Sequence, residues 1–75
     1  MTTEQKLSYI ADFMRLVTSA RTYRDACAHS NFVRGITNAW RVDGSITVDQ
    51  WQVINKDIEI VMEVKRNLPT EGDVV

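Results

Sequence analysis

Gly44-Ser45-Ile46-Thr47-Val48-Asp49-Gln50-Trp51 is the stretch of sequence that decides the fold, because it predicts a helix start on several counts. Thr47 is a favoured N-cap residue, and Gln50 three residues later completes a capping box. Ile46 and Trp51 occupy the two positions of a hydrophobic staple, which sets the angle at which the chain enters a helix. We therefore expect a helix to begin directly after Thr47.

This last helix is predicted to run over about 48–67, and its apolar residues fall into two neighbouring stripes. The first stripe contains Trp51, Ile54, Ile58 and Val61, and the second contains Val53, Ile60 and Val64. Together the stripes cover about half of the helix circumference, which is more than one neighbouring helix can cover. Pro69 and Gly72 end the pattern, and residues 70–75 are predicted to be a flexible C-terminal tail.

The N-terminal part of the chain predicts a helix over about 3–19. Thr3 is a plausible N-cap, and apolar residues recur at three- and four-residue steps. The repeating positions are Leu7, Ile10, Met14 and Val17. Here too the apolar arc spans about half of the circumference, so this helix should contact two neighbours.

Two shorter helices, over about 22–29 and 32–42, are expected between these long ones. Thr22 with Asp25 resembles a weaker capping box, although a helix continuous with the first one remains an alternative. His29-Ser30-Asn31 predicts a break, since all three side chains compete for backbone hydrogen bonds. Gly35 inside the next segment costs up to about 1 kcal/mol relative to alanine unless it marks a close packing contact.

These elements predict an all-α fold, a small bundle of three to four helices forming a single domain over residues 1–69. A chain of 75 residues is marginally stable by itself. Cys27 is the only cysteine, so an intramolecular disulfide cannot help. Self-association, as a dimer or larger, is therefore the expected source of further stability.

Composition excludes several classes of function. The N-terminus lacks the features of a secretory signal and no long apolar run exists, so we expect a cytoplasmic protein without membrane contact. Cys27 and His29 are the only strong soft ligands and lie two residues apart, which suits neither a metal site nor a nucleophile with its base. We expect no metal, no cofactor and no enzymatic activity.

The charge is segregated along the chain although the net charge is only −1. Residues 15–41 contain five arginines and one acidic residue, whereas residues 42–63 contain five acidic residues and one lysine. A basic middle and an acidic final helix can match each other internally, form a subunit contact or bind a charged partner.

Within the segment Thr22–Arg41, Ala26-Cys27 and the later Trp40-Arg41 are similar to the short helix-turn-helix of phage terminase small subunits and transposases. The likeness places a turn at Asn31-Phe32 and implies a recognition helix that carries Arg34 and Arg41. Ser30 and Thr37 depart from that motif, which prefers apolar residues at both positions. The resemblance implies a small DNA-binding regulator that uses the arginine-rich segment 15–41 as the alternative function.

The second pattern lies within Phe32–Ile54 and consists of Phe32-Val33, Ile36, Trp40, Gly44-Ser45-Ile46-Thr47, Gln50 and Ile54. This pattern is similar to a helical hairpin that recurs in phage and mobile-element proteins. It implies a phage or prophage origin and a small protein that binds and blocks a host protein. The leading hypothesis is therefore a non-catalytic, oligomeric protein-binding module that inhibits or regulates a host complex. The candidate partner-binding residues are Arg15, Arg21, Arg24, Arg34, Asn38, Arg41 and Asp57.

Overall fold

The computed structural model describes residues 1–69 and folds them into three α-helices, α1 (Thr3–Ser19), α2 (Tyr23–Val42) and α3 (Val48–Lys65). The predicted all-α bundle is confirmed, and the described residues contain no strand. The α1 bounds agree with the prediction, and α3 ends two residues earlier than expected. The predicted tail, residues 70–75, lies outside the described residues. No helix within residues 1–69 is both long and apolar enough to span a bilayer.

Threonine caps begin all three helices. Thr47 and Gln50 form the predicted capping box: the Thr47 hydroxyl accepts the Gln50 amide at 3.0 Å, and the Gln50 side chain accepts the Thr47 amide at 2.9 Å. The N-terminal cap was predicted one residue too late, because Thr2 forms the same reciprocal pair with Gln5. The Thr22 hydroxyl caps α2 by accepting a hydrogen bond from the Asp25 amide. The alternative of one continuous helix through α1 and α2 is therefore wrong.

The predicted break at His29-Ser30-Asn31 is wrong, because α2 runs through it without interruption. Ser30 is only 1% exposed, and its hydroxyl donates to the Cys27 carbonyl of its own helix at 3.1 Å. Thr37 likewise donates to the Val33 carbonyl at 2.7 Å. The hydroxyl groups of Ser30 and Thr37, which compete with helix formation in an exposed segment, are satisfied here by backbone carbonyls of α2 itself. One consequence is that the turn required by the predicted helix-turn-helix does not form.

The core lies where α2 crosses both other helices. Its buried apolar members are Ile10 from α1, Val33 from α2, Ile46 from the second connection, and Ile54 and Ile58 from α3. Ser30 and Thr37 add small buried side chains to α2. Trp51 is only half-buried at the edge of this core, less than its staple position suggested.

Polar contacts hold the two ends of the bundle. At one end, Lys65 donates to the Ala20 carbonyl at 3.1 Å, and the Tyr23 amide donates to the Pro69 carbonyl at 2.7 Å. At the other end, Lys6 hydrogen-bonds to the Ser45 hydroxyl. These contacts place the N-termini of α1 and α3 at the same end, so the two helices are parallel to each other and antiparallel to α2.

The connection between α2 and α3 depends on a left-handed residue. Gly44 has φ of 80°, a conformation that costs other residues about 1–2 kcal/mol. The Asp43 carboxylate accepts hydrogen bonds from Ser45, and these lower the pKa of Asp43 below its ordinary value. The turn thereby orients Thr47 for its capping role.

Candidate protein-binding groove

An apolar groove of about 400 Å³ separates α1 from α3. Its apolar lining comes from Leu7, Ile10, Ala11 and Met14 of α1 and from Ile54, Ile60 and Val61 of α3. Ile10 and Ile54 are buried, whereas Leu7, Met14 and Val61 are half-buried. The groove therefore has a buried apolar floor and partly exposed apolar walls.

The groove exists because α2 packs extensively on both other helices, whereas α1 and α3 contact each other over a smaller area. The α1 wall also carries two short side chains, Ala11 and Thr18, at positions that face the opening. Short side chains leave unfilled the space that larger ones would occupy, and concave apolar space of this kind is the usual setting for a bound group.

Beside the groove, α3 presents a row of exposed apolar side chains, here called the α3 ridge. Val53 is 61% exposed, Ile60 is 57% exposed and Val64 is 67% exposed. They lie at seven- and four-residue steps and so share one side of the helix. The ridge is the second stripe that the sequence predicts, and α2 does not cover it. Groove and ridge, which meet at Ile60, form one continuous apolar surface.

The polar rim of this surface carries carboxylates. Asp57 lines the groove, and Asp49 lines an adjoining depression together with Leu7 and Val53. Neither Asp49 nor Asp57 forms an ion pair within residues 1–69. Lys56 lies beside the ridge and lines a shallow depression together with Asp49, Gln52, Val53 and Asp57.

A second group of partly exposed apolar residues lies on the face between α1 and α2. Phe13 stacks on Phe32 with ring centroids 4.3 Å apart, and Tyr9 contacts both Phe13 and Trp40. These rings already pack on one another, and the described pockets do not involve them. The groove is therefore the better candidate for a binding site.

The candidate residues predicted from the sequence do not form one cluster around the groove. Among them, Asp57 alone lines it. The arginines Arg15, Arg21, Arg24 and Arg34 are exposed, on α1, in the first connection and on α2. Arg15 pairs with Asp12 at 2.9 Å.

Asn38 and Arg41 have partners within the chain. The Trp51 indole N–H donates to the Asn38 side-chain oxygen at 3.1 Å, and the Arg41 guanidinium lies 4.6 Å from the centroid of the same ring. The three side chains join the C-terminal half of α2 to the first turn of α3. This contact gives both residues a structural role in orienting α3.

Cys27 and His29 lie two residues apart on α2, and both are half-buried. Cys27 hydrogen-bonds with Tyr23 one turn earlier on α2, and this contact raises the pKa of Tyr23. Within residues 1–69, no group of three His, Cys, Asp or Glu side chains is placed to hold a metal ion.

Sequence reasoning missed the groove-lining residues of α1, namely Leu7, Ala11 and Met14. The available signal was the width of the apolar arcs on α1 and α3, which showed that each helix has apolar surface beyond one contact. That signal does not say which part of an arc stays open, since this depends on where α2 lies.

Comparison of the chain with family models, with curated proteins and with solved structures finds no match. The class that the fold defines is a small three-helix bundle, and the geometry of the chain is the basis for assigning it a function.

Proposed function

We propose that this chain is a non-catalytic protein-binding module whose binding surface is the α1–α3 groove with the adjoining α3 ridge. The observation that carries the proposal is an open apolar surface, continuous from Leu7 to Val64, on a chain with a small core. Large exposed apolar patches mark interaction sites, because covering them removes apolar area from water.

The shape of the surface favours a helical partner segment. Two parallel helices with a groove between them offer the same concavity that helix-binding proteins use. A helix inserted there would complete a four-helix arrangement and cover the ridge with its flanking side chains. A bound helix would bury the apolar surface without changing the arrangement of α1, α2 and α3.

The resemblance of Phe32–Ile54 to a phage helical hairpin adds a biological setting to the proposal. In that setting the bound protein is a host protein, and the chain inhibits or regulates a host complex. The segment covers the C-terminal part of α2, the Gly44 turn and the start of α3, and it contributes Ile54 to the lining of the groove.

The experiment is affinity capture from bacterial lysate with three forms of the protein: the parent, Ala11→Trp and Ala28→Trp. Ala11 lines the groove, whereas Ala28 is an exposed alanine on α2. The first variant fills the groove, and the second makes the same change elsewhere. We expect the parent and Ala28→Trp to retain one host protein, identified by mass spectrometry, and Ala11→Trp to lose it.

Circular dichroism and thermal melts of both variants provide the folding control. Equal retention of the same host protein by a folded Ala11→Trp variant would show that the groove is not the binding surface. A helix-turn-helix within Thr22–Arg41 would need a turn at Asn31-Phe32, where α2 is instead continuous.

A further inference from the structure

We propose that the partner segment is a basic amphipathic helix that lies antiparallel to α1 and α3. This inference rests on the proposed function and adds to it the chemistry and the direction of the partner. The charges on the groove rim and the parallel arrangement of the two walls carry it.

The length of the groove sets the length of the segment. On α1 the lining extends from Leu7 to Thr18, eleven residue steps, which at 1.5 Å per residue is about 16 Å or three helical turns. A helix of this length presents four apolar positions, spaced i, i+3 or i+4, i+7 and i+11, to the groove.

The charged residues on the groove rim determine which charges the guest helix should carry beside its apolar stripe. Asp49 and Asp57 border the apolar surface without ion-pair partners in the described part of the chain, and Glu4 lies one turn before Leu7 on α1. Two cations lie nearby: Arg15 is paired with Asp12, and Lys56, which does not line the groove, leaves the three carboxylates in excess. A guest helix with lysine or arginine beside its apolar stripe would therefore meet opposite charge, whereas acidic flanks would meet like charge.

The direction follows from the helix dipoles. Because α1 and α3 are parallel, their first turns, with Glu4 and Asp49, lie at the same end of the groove. An antiparallel guest brings its C-terminal end there, and basic residues in a last helical turn are favoured both by the guest's own dipole and by these two carboxylates.

A second copy of this chain suits the groove less well. In a two-fold contact through this face, each copy brings the same Asp49 and Asp57 to the interface, so like charges add up there. The basic side chains Arg24 and Arg34 lie on α2, away from the groove. A basic partner helix avoids this repulsion and still covers the apolar surface.

The test uses three designed helical peptides of about 16 residues. All carry a leucine stripe at the four groove-facing positions; the flanking positions hold lysine in the first peptide, glutamine in the second and glutamate in the third. Affinities are measured by calorimetry with the full chain. We expect the lysine peptide to bind at least about tenfold more tightly than the glutamate peptide, and to weaken several-fold between about 0.05 and 0.5 M salt.

Charge reversal on α3 provides the matched comparison. Asp57→Lys should lower the affinity for the lysine peptide several-fold and raise that for the glutamate peptide. Glu59→Lys makes the same change two residues away at an exposed position that does not line the groove, and it should leave both affinities within about twofold.

A nitroxide at the C-terminus of the lysine peptide should broaden the amide signals of the first turns of α1 and α3.

The outcomes separate the two proposals. Binding of all three peptides with equal affinity, or preference for the glutamate peptide, overturns the basic partner but leaves a helix-binding groove. Broadening at Thr18 instead of the first turns overturns the antiparallel direction. Failure of every peptide to bind at any salt concentration overturns the groove as a helix site. A tight dimer at low micromolar concentration, with Ala11 covered at its interface, identifies a second copy as the occupant.

Discussion

At the scale of single residues, the two glycines that bound the C-terminal half of α2 have opposite roles. Gly35 lies on the exposed side of the helix, and a Cβ atom built there meets nothing within 4 Å. Gly44 has equal space but a left-handed backbone, with φ of 80°. Space alone therefore does not decide what a substitution does, since the backbone conformation differs between the two sites.

Gly35→Ala should stabilise the protein by up to about 1 kcal/mol, because alanine is the better helix former and nothing obstructs its methyl group. In a domain of this size the melting temperature should rise by a few degrees. Gly44→Ala is the matched comparison and should destabilise by about 1–2 kcal/mol through strain at positive φ. Thermal melts of both variants provide the measurement; an unchanged or lower melting temperature for Gly35→Ala would contradict the position assigned to Gly35.

At the scale of the elements, α3 is held on α2 by a contact that sequence reasoning had assigned to a partner. Asn38 accepts the Trp51 indole N–H, and Arg41 lies over the same ring. The buried anchor of α3 is Ile58, which is fully buried, whereas Trp51 is half-buried at the seam between the helices. Removing the Trp51 side chain should therefore cost less than the roughly 3–5 kcal/mol typical of a fully buried tryptophan.

The hydrogen bond between Asn38 and Trp51 can be isolated by a double-mutant cycle. Asn38→Ala and Trp51→Phe should each lower the free energy of unfolding by about 0.5–1.5 kcal/mol, and the double variant should lose less than the sum. Arg34→Ala, at an exposed site on the same helix, should stay within about 0.5 kcal/mol of the parent. Urea denaturation gives these values, and strict additivity would show that the two side chains do not interact in solution.

At the scale of the whole molecule, the parallel arrangement of α1 and α3 leaves a groove between the two helices. Lys65 and Pro69 join α3 to the first connection, and Lys6 joins α1 to the second one. The ends of both helices are thus tied to the loops, and the middle of the bundle stays open between them. A small core and an open groove are two results of the same packing.

The self-association expected from the sequence stays a prediction, and the structure suggests its surface and its salt dependence. We expect weak, reversible association through the α3 ridge that strengthens as salt rises, because salt screens the repulsion between the carboxylates of the two copies. Sedimentation equilibrium of the parent and of Ile60→Glu at low and high salt measures it, and the variant should be monomeric. Association that weakens with salt, or that persists in Ile60→Glu, would place the contact on another surface.

The sequence by itself determined where α1 and α3 begin and why. A capping box at Thr47 and Gln50, a glycine that tolerates positive φ and the periodic apolar stripes are local features, and local features act through neighbours a few residues away. The same local rules placed the first cap at Thr3, one residue beyond the actual cap, because adjacent threonines differ only in what the residue three positions later supplies.

Only the tertiary structure decided the continuity of α2, the partners of Asn38 and Arg41, and the position of the groove. Ser30 and Thr37 weaken a helix when exposed, but within the packed bundle their hydroxyls bond to the backbone of α2 and their small size suits a close contact between helices. The apolar positions of a helix show how wide a surface it must bury. They do not show which neighbouring helix buries it. Which part of the α1 and α3 arcs stays open depends on where α2 lies across both, and that is settled by contacts between residues far apart in the chain.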